Sequence, residues 1–157
     1  MATNITESYL YEFEMGKEDL RKIKYFQEEA RRIVNGNGNK ESLISAVLAL
    51  GSLVGYFCGP VGTVAGAVGT FVSAFEYVAS GDKRLIQGSV NNGLKDVDQA
   101  WNDWFSDYDK NGNPISPRAD RLRAHVTLME VETDGDVIKF VTSMQQLAVL
   151  KNGVWVS

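Results

Sequence analysis

Residues 42–75 read SLISAVLALGSLVGYFCGPVGTVAGAVGTFVSAF, 34 consecutive positions without a charged side chain, bounded by Glu41 and Glu76. Gly59-Pro60 divides the run, because proline has no amide hydrogen and disfavours helix at the residue before it. The halves, Leu43 to Cys58 and Val61 to Ala79, are expected to form a helical hairpin about that turn. Glycines recur at Gly51, Gly55 and Gly59, then at Gly62, Gly66 and Gly69. Steps of four and three place each set on one helix face, leaving a flat groove where another backbone can approach closely. A glycine costs about 1 kcal/mol against alanine inside a helix, so six of them ask for a packing or functional reason. These six are the candidate membrane- and helix-packing residues.

Three destinations fit such a hairpin. It can be buried on all sides by other helices, it can span a membrane permanently, or it can be packed away and enter a bilayer conditionally. A spanning helix needs about 20 apolar residues; the second half just reaches that length and the first falls short. Ser45, Ser52, Thr63, Thr70 and Ser73 keep the run only moderately apolar.

On the N-terminal side, Leu20, Ile23, Phe26 or Gln27, Ala30 and Ile33 recur at helical steps and predict an amphipathic helix within residues 1–34. Tyr9, Leu10 and Phe13 extend that stripe backwards, with Gly16 as a break. The sequence Asn35-Gly36-Asn37-Gly38-Asn39 ends the helix, since these residues tolerate left-handed backbone. On the C-terminal side, Leu85, Ile86, Val90, Leu94, Val97, Trp101, Trp104 and Phe105 predict a helix over residues 83–105, in which Gly88 and Gly93 are weak points. Residues 107–117 form a loop rich in Asp, Asn, Gly and Pro, after which Ser116-Pro117 suits a helix start. The last forty residues are read as two helices, around Leu122, Val126 and Met129 and around Val137 to Ala148, separated by Thr133-Asp134-Gly135-Asp136. Strand alternation over His125 to Glu132, and a hairpin turned at Lys151-Asn152-Gly153, are the alternative there. The expected fold is therefore all-α: one domain over residues 1–157, a bundle of about five helices with residues 42–79 as its buried Gly-rich apolar hairpin, and a C-terminal segment with a β alternative.

Composition narrows the function. Sixteen basic against 20 acidic residues give a net charge of −4 and a pI near 5.0. That balance argues against nucleic acid as a partner, because such affinity rests on clustered cations. One His and one Cys leave little for metal sites built from those ligands and no disulfide within the chain. Cys58 lies among apolar residues and reads as a small buried hydrophobe. Asp109, Asn111, Asn113 and Asp120 stand at calcium-loop positions, but Pro114 replaces the obligatory glycine, so a solvated turn is expected. No nucleophile elbow, phosphate loop or apolar carboxylate pair is present, and neither an enzyme nor a cofactor is expected. Residues 1–34 carry charges throughout and lack the apolar core of a secretory signal. Secretion or release without a cleavable signal peptide, with cytoplasmic storage as a variant, is the matching expectation.

The stretch from Gly59 to Tyr77 resembles the Gly-rich apolar first helix of the pore-forming domain of three-domain insecticidal crystal toxins, the delta-endotoxins. Ala100-Trp101-Asn102-Asp103-Trp104, with Asn113-Pro114 and Arg121-Leu122-Arg123, is similar to that domain's third helix and its Arg-bearing continuation. Met144 to Val149 sits where that family's next helix begins. The segment from Tyr77 to Lys95 is shorter than the family's second helix, and the receptor-binding β domains are absent. The resemblance implies a helical membrane-perturbing domain or a fragment of one. The leading expectation is thus a pore-forming or membrane-perturbing toxin-like protein, with membrane lipids as conditional partners. The alternative is a non-catalytic helical interaction module whose glycine face packs on a partner chain or a second copy.

Overall fold

The computed structural model describes residues 3–59 and 63–157. The expectation of an all-α bundle is overturned: the protein is mixed α/β, with a curled four-stranded antiparallel sheet. In chain order come β1 (Thr3–Gly16), α1 (Lys17–Val34), α2 (Lys40–Ala49), a 3-10 turn (Gly51–Leu53), α3 (Val54–Phe57), α4 (Val64–Phe75) and α5 (Ser80–Ala100). A π-helical turn (Trp101–Phe105) prolongs α5, and β2 (Arg121–Thr133), β3 (Asp136–Lys151) and β4 (Val154–Val156) complete the chain. The sheet order is β1-β2-β3-β4.

The first helix begins where Gly16 breaks the pattern. Asp19 accepts the Gly16 N–H at 2.8 Å, and Leu20, Ile23, Phe26, Ala30 and Ile33 are buried along one face. Gly36, at φ 82°, ends the helix in left-handed backbone. Upstream, however, Tyr9, Leu10 and Phe13 do not continue a helical stripe. They lie in β1, whose register against β2 shifts between Leu10 and Phe13, with Glu12 at φ 47°. A bulge adds a residue to the strand, so two inward apolar positions fall three apart instead of two. That spacing mimics a helix.

The C-terminal helices are likewise strands. Leu122, Ala124, Val126 and Leu128 alternate inward along β2, and β3 pairs with it from Asp136 to Leu150. Two tight turns close the hairpins: Asp134 and Gly135 have φ 52° and 86°, Asn152 and Gly153 have φ 51° and 80°. Positive φ at both central residues is the geometry that matches the twist of paired strands. Arg121-Leu122-Arg123 and Met144 to Val149, likened above to toxin helices, are therefore strand residues, and no helix follows Ser116-Pro117.

The apolar run is also not a hairpin of two long helices. It is divided into α2, the 3-10 turn, α3 and α4, and the chain bends by 99° between α2 and the Gly51–Phe57 segment. Pro60 and Gly62 lie outside the described residues. The run joins a core shared with the sheet: Phe26 of α1 stacks on Phe140 of β3 at 5.7 Å and meets Phe57 at 5.4 Å, while Phe71 of α4 meets Phe140 at 5.1 Å. Sheet and helices therefore share these rings.

The side of β3 away from β2 is sealed over much of its length by groups from the helical layer and the loop after α3. Gln27 of α1, with 0% exposure, accepts the Val141 N–H at 3.1 Å and donates Nε2–H to the Val141 carbonyl at 2.6 Å. Its amide thus stands in for a neighbouring strand. The Asp96 carboxylate of α5 accepts the Met144 N–H at 2.9 Å, and the Gly59 N–H donates to the Val137 carbonyl at 2.9 Å. Gly93 lets α5 lie directly on β3, since a Cβ there would overlap the carbonyl of Val141. Buried main-chain groups need partners, and here the Gln27 and Asp96 side chains and the Gly59 N–H supply them.

Candidate functional site

The glycine positions singled out in the sequence scatter in their surroundings. Gly51 stands at the bend after α2 with φ 58°, in left-handed backbone, and only the Lys22 Nζ lies within 4 Å of where its Cβ would stand. Gly55 is exposed with open space at that point. Gly59 packs tightly, but on the Val137 side chain of a strand. Gly66 gives its N–H to Thr63 Oγ1 at 3.2 Å, which caps α4, and is otherwise open. Gly69 meets the Lys40 stem at 3.7 Å. Gly62 lies outside the described residues. At Gly51, Gly55, Gly66 and Gly69 no backbone of another helix comes within 4 Å of the Cβ position, so the fold does not use these four to bring helices together.

What these residues do make is an uncharged outer surface. Ser45, Leu48, Ala49, Ser52, Gly55 and Tyr56 face solvent on the α2–α3 side, and Ala65, Gly66 and Ser73 on α4. Leu48 is 62% exposed. The inner positions Leu43, Val47, Leu53, Phe57, Val68 and Phe71 hold the same segments to the core. No single described helix is long and apolar enough to cross a membrane; α2 and the Gly51–Phe57 segment reach that length and composition only together, across their bend. At 1.5 Å per residue the 12 residues of α4 extend about 18 Å, short of a hydrocarbon core of about 30 Å.

A second surface went unnoticed in the sequence. Tyr9, Tyr11 and His125 cluster on the sheet, with ring centroids 4.9 Å (Tyr11–His125), 5.7 Å (Tyr9–His125) and 5.9 Å (Tyr9–Tyr11) apart. Tyr11 is 72% exposed. The Tyr9 hydroxyl donates to Glu7 Oε2 at 2.8 Å, and that bond to an anion holds the phenol above its ordinary pKa. Next to this cluster lies an open groove of about 420 Å³ between β1, α5 and the neighbouring strands, lined by Ile5, Thr6, Glu7, Leu85, Ser89, Met129 and Thr142. The sequence signal was present in the alternation Ile5, Glu7, Tyr9, but a helical reading of Tyr9 to Phe13 obscures it.

The remaining candidates resolve plainly. Cys58 is 8% exposed and burial pushes its thiol up to about 11, which leaves it protonated and unreactive at neutral pH. In the loop after the π-turn, Asp109 Oδ1 accepts the N–H groups of Asn113 and Asn111 at 2.9 and 2.8 Å. The Asn113 bond leads in holding its carboxyl below the usual range, so this side chain closes its own turn. Among the described residues no three His, Cys, Asp or Glu side chains converge to hold a metal ion. Phe105 is fully buried, while Trp101 lies beneath Lys17 and Arg21, and Trp104 donates to Gln146 at 2.7 Å under Lys151. Comparison with family models, with curated proteins and with solved structures finds no match.

Proposed function

We propose that the protein is a non-catalytic interaction module, and that the uncharged outer face of α2, α3 and α4 receives a helix of a partner chain. The observation that carries this reading is the position of the glycines. Gly55 stands in α3 and Gly66 in the first turn of α4, where alanine is the better helix former, yet Gly55 faces open space and Gly66 meets only the capping Thr63 hydroxyl. A partner helix of small residues makes use of that space, since hydrogen in place of a side chain allows close backbone approach. Apart from Lys40 and Glu41 at the start of α2 and Lys22 beside Gly51, the face carries no charge, which fits a partner surface that is itself largely uncharged, because an unpaired charge buried there is costly.

Gly55 offers a clean test. Open space surrounds its Cβ position, so Gly55→Leu leaves folding intact while filling the face. A photo-crosslinking residue at Ser52 is expected to give one discrete crosslinked species in the source cells, lost when Gly55→Leu is added. Crosslinking that is absent, or indifferent to Gly55→Leu, overturns the reading.

A membrane-perturbing role is the second reading. It is favoured by the α2–Phe57 pair, which reaches spanning length and composition if the 99° bend opens, and by the resemblance of the Gly59 to Tyr77 stretch to a toxin helix. Release of a trapped dye from vesicles by the wild type, reduced by Gly55→Leu, supports this reading over the first. No release at neutral or acidic pH, on anionic or neutral lipid, removes it.

A further inference from the structure

The sealing of β3 makes the other side of the sheet conspicuous. Among the described residues, no group outside β2 forms a hydrogen bond with the main chain of β1 between Thr3 and Met15. From Thr3 to Leu10 the register against β2 is regular, so every second residue turns its N–H and carbonyl outward along eight unbroken positions. An open edge of that length is a template for another strand. Within those positions Ile5, Glu7 and Tyr9 share one face, because side chains alternate along a strand. The groove of about 420 Å³ opens on that face, with Ile5, Leu85 and Met129 as its apolar lining and Glu7 at its rim. Beyond Glu7 stand the ring faces of Tyr9, Tyr11 and His125.

We infer that the β1 edge takes an extended segment of a partner chain, which adds as a strand, seats a large apolar side chain in the groove and places a lysine or arginine between Glu7 and the tyrosines. Main-chain hydrogen bonds to an open edge supply affinity in this mode, and pockets for alternate side chains supply specificity. Charge selects the partner. Glu7 has no ion-pair partner among the described residues, and a cation beside it also meets the negative faces of aromatic rings. A second copy is the poorer occupant, because the docked segment Thr3–Leu10 carries Glu7 as its one charge and no cation, so β1 against β1 supplies Glu7 with a like charge instead of a partner. The bulge at Tyr11 and Glu12 limits the docking length to the segment before it.

This surface shares with the proposed function only the reading of a non-catalytic module; it lies on the sheet rather than on α2–α4, so Gly55→Leu leaves it unchanged. The probe is an acetylated octapeptide alternating leucine and lysine, compared with a glutamate-for-lysine counterpart and with versions N-methylated at alternate amides in each of the two registers. Binding is read from the amide shifts of the full chain. The expected result is binding of the lysine peptide with shifts concentrated at Thr3–Leu10, at least about tenfold weaker binding of the glutamate peptide, and loss of binding on methylation in one register. Glu7→Lys weakens the lysine peptide by at least about tenfold while the thermal midpoint stays put. Equal affinity for both peptides, tolerance of methylation in both registers, shifts away from β1, or no binding at millimolar peptide overturns the proposal. So does a dimer of the free protein that protects the β1 amides and excludes the peptide, which assigns the edge to a second copy.

Discussion

Along β3, Gln27, Asp96 and Gly59 reach the outer main chain at three places, and α5 presses its backbone against Val141. Along β1 none of the described residues reaches it, and the strand carries exposed glutamates and tyrosines instead. The difference follows from which edge the helices cover. A buried edge must have every N–H and carbonyl paired, whereas water satisfies an open one at no structural cost. The sealed edge is therefore a matter of stability, while the open edge leaves main-chain groups free for another strand.

Substitutions at the sealed edge are expected to have the larger effects. Gln27→Met keeps the side-chain volume but strands the N–H and carbonyl of Val141. At about 1–3 kcal/mol for each buried unpaired group, the loss should be about 2–6 kcal/mol, read as a lower urea midpoint at unchanged slope. A midpoint near that of the wild type means that the edge is sealed by something other than this amide. Gly93→Ala should cost about 1–3 kcal/mol, because the new methyl meets main chain that cannot rotate away. Asp96→Ala removes one acceptor from the half-buried Met144 N–H, and about 1 kcal/mol is expected by the same measurement.

Cys58 reports on the same edge without changing it, since it bridges to Ile138. Its thiolate forms near pH 11 in the fold against about 9 in the free side chain, so the neutral thiol is the folded form. The sign is that the contribution to stability is full below pH 9 and is lost as pH rises towards 11. A thiol reagent at pH 8 should label the native protein far more slowly than the unfolded chain. Rapid labelling means that the edge opens readily. Smallest of all, Glu7→Lys on the open edge should shift stability by no more than about 0.5 kcal/mol, as surface substitutions do. A larger loss there would mean that β1 is held by its edge charges as well as by β2.

How much of this was legible varies with the element. The Leu20 to Ile33 stripe places α1, and the Leu85 to Phe105 stripe places α5 with its π-turn, since one amphipathic face on one core writes itself into the sequence. The C-terminal strands were misread as helices, although Asp134-Gly135 and Asn152-Gly153 are strong two-residue hairpin signals between β-branched and aromatic runs. At β1 the misreading has a different origin. The bulge after Leu10 converts a period of two into a step of three, and no local pattern reveals which residue a distant strand will leave unpaired. Of the candidate site, the uncharged run is visible at once, but its glycines gave no hint of facing solvent. Gln27 reads as a position on the α1 stripe and Gly93 as a weak point of α5, and neither residue by itself reveals the strand it meets.

The sequence by itself determined the positions of the long helices, the uncharged character of residues 42–75 and the turns between strands, because each depends on residues close together in the chain. Only the tertiary structure decided that β1 and β2 pair across more than a hundred residues, that Gln27 serves as a substitute strand, and that one edge is closed while the other is open. Pairing over such a separation is chosen by which apolar faces can be buried together. A strand records only half of that choice in its own residues, and its partner holds the other half.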